Sequence, residues 1–138
     1  MIRKVLVAYD TSKQADKAFD FALDLAGRYS AEVIVLSVAT LPEPPVMVET
    51  EAVLENAREY FEKTFAKLRE KAGACGISPR FEVLVGHPAD QIVHLANQEG
   101  VDMIVMGHRG KSFMQRWLLG SVSKRVLSYA PCTVSIVR

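Results

Sequence analysis

Cysteine is scarce in this chain. Cys75 and Cys132 stand far apart, and neither belongs to a Cys-x-x-Cys or His-rich cluster. The usual zinc spacings are therefore missing, and nothing signals a disulfide framework. Long hydrophobic runs are missing as well. No stretch reaches the ~18 uninterrupted apolar residues of a membrane-spanning helix, so no membrane association is expected. An excess of one charge is absent too: Lys and Arg number 17 against 16 Asp and Glu, a net charge of +1. That balance makes no bulk field for nucleic acid or an anionic surface, and no nucleic-acid recognition motif is present. Met1-Ile-Arg-Lys4 runs straight into a strand-like segment, without the apolar core and small-residue cleavage site of a signal peptide. The cytoplasm is the expected compartment.

Three familiar chemistry-bearing loops are also absent. Walker A needs four residues between its glycines, whereas Gly107-x-x-Gly110-Lys111-Ser112 has two. The dinucleotide fingerprint is missing after the first strand, where Asp10-Thr-Ser12 stands instead. No Gly-x-Ser-x-Gly nucleophile elbow occurs.

What is present is a regular alternation. Lys4-Val-Leu-Val-Ala-Tyr9, Glu32 to Val38, Arg80 to Val85, 101–106 and Cys132 to Val137 read as strands. Between them run helical stripes. Ala15, Ala18, Phe19, Ala22, Leu25, Ala26 and Tyr29 mark the first, with Thr11-x-x-Gln14 as its expected capping box. Val53, Leu54, Ala57, Tyr60, Phe61, Phe65, Leu68 and Ala72 mark the second, closed by Gly73 and Gly76. Pro88 opens a third helix and Gly120 a fourth, which Pro131 stops. Thr40-Leu-Pro-Glu-Pro-Pro45 reads as an irregular connection. The order βαβαβαβαβ, without repeat or low-complexity tract, predicts one α/β domain over 1–138, a parallel sheet covered by helices on both faces. Cys132 opens an apolar run and reads as a small core residue.

The most informative local feature is a glycine set. Gly107-His-Arg-Gly110 follows the apolar run 101–106, and Gly120-Ser121-Val122-Ser123 follows nine residues later. Bare amides and hydroxyls at a helix start, beside the positive end of its dipole, suit an anion and phosphate above all. In sheets of this kind ligands sit beyond the carboxyl ends of the strands, where the winding reverses. Asp10, Val38 and Gly107 all fall on that rim.

Gly107-x2-Gly110-x9-Gly120-Ser121 resembles the nucleotide-binding signature of the universal stress protein family, in its ATP-binding branch. The likeness covers essentially the whole chain, including Gly86-x-Pro88-Ala89 and the closing Pro131 to Val137 segment. It implies a three-layer α/β/α, Rossmann-like fold with a five-stranded parallel sheet in the order 3-2-1-4-5. It further implies an adenine nucleotide, ATP or its shorter forms AMP and ADP, often with a divalent metal such as Mg2+ or Mn2+. Gly107, Arg109, Gly110, Gly120, Ser121, Val122 and Ser123 are then expected around phosphates and ribose. Ala8, Asp10, Val38 and Met106 are expected around ribose and adenine, with Asp10 also a water-mediated metal ligand. A helix cap is the simpler role open to Asp10, and it is compatible with the first. Thr11 departs from the family, which commonly has glycine there.

The resemblance implies a homodimer built through 132–137, and as the last strand that segment falls naturally at a sheet edge open to a second copy. The function it implies is a nucleotide-dependent sensor or regulator in the stress response, with ligand ordering the 107–120 loop for protein partners not yet known. The alternative is a slow metal-dependent ATPase or nucleotide phosphohydrolase resting on Asp10 and His108. No second group in the sequence is evidently placed to orient His108, and a solvated loop histidine is the simpler reading. Arg109, Lys111 and Arg116 read equally as a solvated face, and Phe113, Met114, Trp117, Leu118 and Leu119 as packing beneath the loop or a partner surface.

Overall fold

The computed structural model describes residues 1–40, 50–108 and 120–138. The elements are β1 (Lys4–Ala8), α1 (Lys13–Tyr29), β2 (Glu32–Ala39), α2 (Thr50–Ala74), β3 (Arg80–Val85), α3 (Pro88–Glu99), β4 (Met103–Gly107), α4 (Ser121–Tyr129) and β5 (Thr133–Val137). All strand pairs are parallel, and the sheet order is β3-β2-β1-β4-β5. The expected alternation, strand order and layering are all present.

The sheet is covered on both faces because its central strands carry apolar runs that point to either side. Val5, Val7, Val33, Val35 and Val105 point to the side packed by α1 and α2. Leu6, Ile34, Leu36, Ile104 and Met106 point to the side packed by α3 and α4. Each fully buried aliphatic side chain contributes about 1.5–3 kcal/mol by leaving water. The helical stripes need some correction. Leu23 is buried where Leu25 is only half-buried, and Tyr29 and Tyr60 are exposed. Tyr60 instead sets its ring edge-on against Phe61, at 5.0 Å between centroids.

Two helix ends differ from the sequence reading. The N-cap of α1 is Ser12, not Thr11: the Ser12 hydroxyl accepts from the Ala15 amide at 3.0 Å. Asp10 does not cap the helix either. Its carboxylate accepts from the Ser12 amide at 3.0 Å, closing a turn before the helix begins. Thr11, caught between them, adopts φ +68°. For a β-branched residue this left-handed conformation is strained by about 1–2 kcal/mol. At the end of α2, Gly73 lies inside the helix and Gly76 alone terminates it, at φ +75°. The Ile77 amide donates to Ala72 and the Gly76 amide to Gly73, so the last carbonyls are satisfied.

Gly107 is required by packing. A Cβ there meets the Gln14 backbone carbonyl carbon at 2.6 Å, so the end of β4 lies directly against the first turn of α1. At the opposite end of the sheet, the Asp102 carboxylate accepts from the Arg3 and Lys4 amides at 2.8 and 3.0 Å. These two backbone donors hold its carboxyl below the usual carboxylate range.

Gly107→Ala should destabilise the protein by about 1–3 kcal/mol, because neither backbone can yield easily. Thr11→Gly should stabilise it by about 1 kcal/mol through relief of strain, less the added freedom of the unfolded chain. Urea unfolding of both variants checks the two signs. The depressed Asp102 carboxyl favours the folded state above its ordinary pKa, and that contribution fades as the pH falls through its lowered value. Asp102→Asn should therefore be less stable than wild type at neutral pH, with the gap narrowing in acid.

Candidate functional site

The carboxyl ends of the strands build one rim. Ala8 of β1 pairs with Met106 of β4, and Gly107 with Val137 of β5. Chain segments beyond the strands are stitched to it. The Tyr9 amide donates to Leu36 at 2.9 Å, the Ser37 hydroxyl to the Tyr9 carbonyl at 2.7 Å, and the His108 amide to Val137 at 2.7 Å. The strand order reverses between β1 and β4, since β2 and β3 run off to one side and β5 to the other. That junction is where an open α/β sheet leaves a crevice.

The predicted residues fall into two groups around it. Ala8, Val38 and Val122 are half-buried and pack on the α3/α4 core, which also holds the buried Met106. They form the apolar side. Gly120, Ser121 and Ser123 form the polar side at the start of α4: Gly120 and Ser123 are buried and Ser121 is exposed. Asp10 is exposed on the turn after β1. Arg109 and Gly110 lie outside the described residues, as do Lys111, Phe113, Met114, Arg116, Trp117, Leu118 and Leu119. His87 and His94 are exposed on α3, consistent with surface roles.

The helix N-termini that follow β1, β3 and β4 differ. Helix α1 is capped by Ser12 and carries Asp16 in its first turn. Helix α3 begins with Pro88, which has no amide hydrogen, and carries Asp90 in its first turn. Helix α4 has neither cap nor acid: Gly120 supplies no side chain, and the first turn holds no carboxylate. Its first internal bond runs from the Lys124 amide to the Gly120 carbonyl at 3.0 Å. The amides of Ser121, Val122 and Ser123 have no hydrogen-bond partner among the described residues. The Ser123 hydroxyl, 3% exposed, likewise bonds to no described residue. A buried donor without a partner costs about 1–3 kcal/mol, so this cradle suits a bound anion. Among the described residues no group of three or more His, Cys, Asp and Glu side chains converges.

Sequence reasoning missed Tyr9. Its ring is buried, and its hydroxyl donates to the Asp16 carboxylate. Burial first, then that hydrogen bond and the neighbouring carboxylates, push the phenol far above its ordinary range. It stays neutral and braces α1 against the end of β1. The only signal was an aromatic at the last position of an apolar run. Cys75 is exposed and Cys132 half-buried, both unpaired. Partial burial pushes the Cys132 thiol up, away from reactivity.

Comparison with known proteins agrees with this architecture. The model of the universal stress protein family matches residues 1–138. A universal stress protein of Methanothermobacter thermautotrophicus is 39% identical over 147 residues, covering all of this chain and 97% of that one. The solved structure of the universal stress protein UspA from Lactobacillus plantarum superposes with a TM-score of 0.89 at 25% identity, over 99% of this chain and 98% of the other. A universal stress protein solved in complex with cAMP superposes at 0.79 and 25% identity, over 99% of this chain and 97% of its own. Fold, rim and sequence together identify the chain as a member of the universal stress protein family.

Proposed function

We infer that this protein binds an adenine nucleotide in the crevice between β1 and β4 and acts as a nucleotide-dependent regulator in the stress response. The observation that carries the reading is the start of α4, where three backbone amides and the buried Ser123 hydroxyl face no partner among the described residues. A phosphate accepts from such a group of donors, and the helix dipole favours its charge. The half-buried apolar surface of Ala8, Val38 and Val122, with Met106 beneath, suits the flat face of a base. The related protein solved with cAMP supports an adenine ligand. Gly107, Arg109 and Gly110 complete the signature by resemblance. A divalent cation, when bound, neutralises phosphate charge. Asp10 would hold such a cation through water. The sheet edge at β5 is open, and we assign it to pairing with a second copy of the chain.

Calorimetric titration of ligand-stripped protein with ATP and Mg2+ should show about one site per chain. Removing one hydrogen bond to a charged group costs about 1.5–3 kcal/mol, so Ser123→Ala should weaken binding at least tenfold. The same change should leave the urea midpoint unchanged or raised, because a buried hydroxyl without a partner is gone. No heat in any condition overturns the nucleotide reading, and unchanged affinity in the variant removes Ser123 from the site. Phosphate release on the same sample tests hydrolysis: turnover lost in Asp10→Asn with binding retained assigns slow ATPase activity instead.

A further inference from the structure

The hydrogen-bond ladder between β1 and β2 stops one rung early. Every second residue of β2 bonds to β1: the Glu32 amide donates to the Arg3 carbonyl at 2.8 Å, and the Leu36 carbonyl accepts from the Tyr9 amide at 2.9 Å. In a parallel pair, both backbone groups of such a residue face the same neighbour. Val38 is next in the series, so its amide and carbonyl turn the same way, past the end of β1. The acceptor waiting for its amide is the Tyr9 carbonyl. That bond is not made, and β1 ends at Ala8 although the Tyr9 amide is still paired. Neither the amide nor the carbonyl of Val38 has a hydrogen-bond partner among the described residues.

A side chain occupies the Tyr9 carbonyl instead. Ser37 is 1% exposed, and its hydroxyl donates to that carbonyl at 2.7 Å. By the alternation of the strand, Ser37 shares a face with Val33 and Val35, where an aliphatic residue would pack without a polar group to satisfy. With such a residue at 37, the Tyr9 carbonyl would fall to the Val38 amide and the ladder would run on by one rung. The Ser37 hydroxyl thus terminates the ladder at the carboxyl rim of the sheet. A donor and an acceptor side by side on one half-buried residue match the edge of an adenine, whose ring N1 accepts and whose 6-amino group donates. The Val38 side chain, packed with Ala8 on the α3/α4 core, already belongs to the apolar surface suited to a base.

We propose that Ser37 is a positioning residue for base recognition: by holding the Tyr9 carbonyl, its hydroxyl keeps the Val38 amide and carbonyl out of the sheet and available to the edge of an adenine ring. The proposal rests on the nucleotide reading above. It also makes the site selective. Hypoxanthine carries a ring N–H and a carbonyl where adenine has an acceptor and an amine, so it sets donor against donor and acceptor against acceptor at Val38.

The test compares wild type, Ser37→Ala and Ser37→Thr by calorimetry with ATP and with inosine triphosphate, both with Mg2+, and follows the Val38 amide by hydrogen exchange. In ligand-free wild type this amide should exchange much faster than that of Leu36, and ATP should slow it at least tenfold. In Ser37→Ala the Tyr9 carbonyl should capture the amide and protect it without ligand. ATP affinity should then fall about tenfold, while affinity for inosine triphosphate stays within about twofold. Ser37→Thr keeps the hydroxyl and should bind ATP nearly as wild type. Undiminished ATP affinity in Ser37→Ala overturns the proposal. Equal losses for the two nucleotides also overturn it, by placing the effect on the fold or on the phosphates. Wild type that protects the Val38 amide without ligand, or binds the two nucleotides equally, overturns it even where Ser37→Ala does not fold, and spares the phosphate cradle. Wild type that binds neither nucleotide defeats the nucleotide reading itself, and this proposal with it.

Discussion

The rest of the structure depends on β1 being paired on both edges and covered on both faces. Val5, Leu6 and Val7 have no exposed surface, so the strand admits no polar side chain and only one register with β2 and β4. That register sets Ala8 beside Met106 and brings the carboxyl ends of β1 and β4 to the same height. Gly107 then lets the first turn of α1 close over the end of β4, with Gln14 where a side chain would otherwise stand. The relative placement of β1, β4 and the start of α1 thus follows from packing alone.

Within that frame, chemistry is decided by what the helix starts are given. Of the starts after β1, β3 and β4, two have already spent their N-terminal donors or set a carboxylate against them, by Ser12 and Asp16 at α1 and by Pro88 and Asp90 at α3. The third, at α4, opens on a glycine and two serines with no acid in its first turn. Local composition thus leaves the start of α4, unlike those of α1 and α3, without a side-chain cap or an acid, although every helix has the same backbone dipole. The hydrogen bonds around the turn at residues 9–12 fix the path of the chain from β1 into α1.

Much of this was legible in the sequence. The apolar runs of the strands and the glycine and proline punctuation yield the alternation directly, because a strand buried on both faces admits a polar side chain only where it finds a partner, as Ser37 does. The 3-2-1-4-5 order came from family resemblance, since alternation alone leaves several windings open. The helix faces were less legible. Leu23 and Leu25 differ in burial though both are leucine, and Tyr29 and Tyr60 sit at stripe positions yet face solvent. Burial there depends on where the neighbouring helix ends, which periodicity does not encode. The cap of α1 was displaced by one residue because Thr11, Ser12 and Asp10 are all competent capping types, and only the path of the chain out of β1 selects Ser12.

The sequence by itself determined the fold class and the spacing of the glycines and hydroxyls along the carboxyl rim of the sheet, because each reflects local backbone demands and hydrophobic period. Only the tertiary structure decided that Gly107 answers to Gln14, that the Tyr9 hydroxyl braces α1, that Thr11 is held in a left-handed turn, and that the Ser123 hydroxyl is buried without a partner among the described residues. These properties arise where segments remote in the chain meet or where a hydrogen-bonded turn overrides residue preference. Such outcomes depend on the summed packing of the whole domain, and no local window of sequence contains that sum.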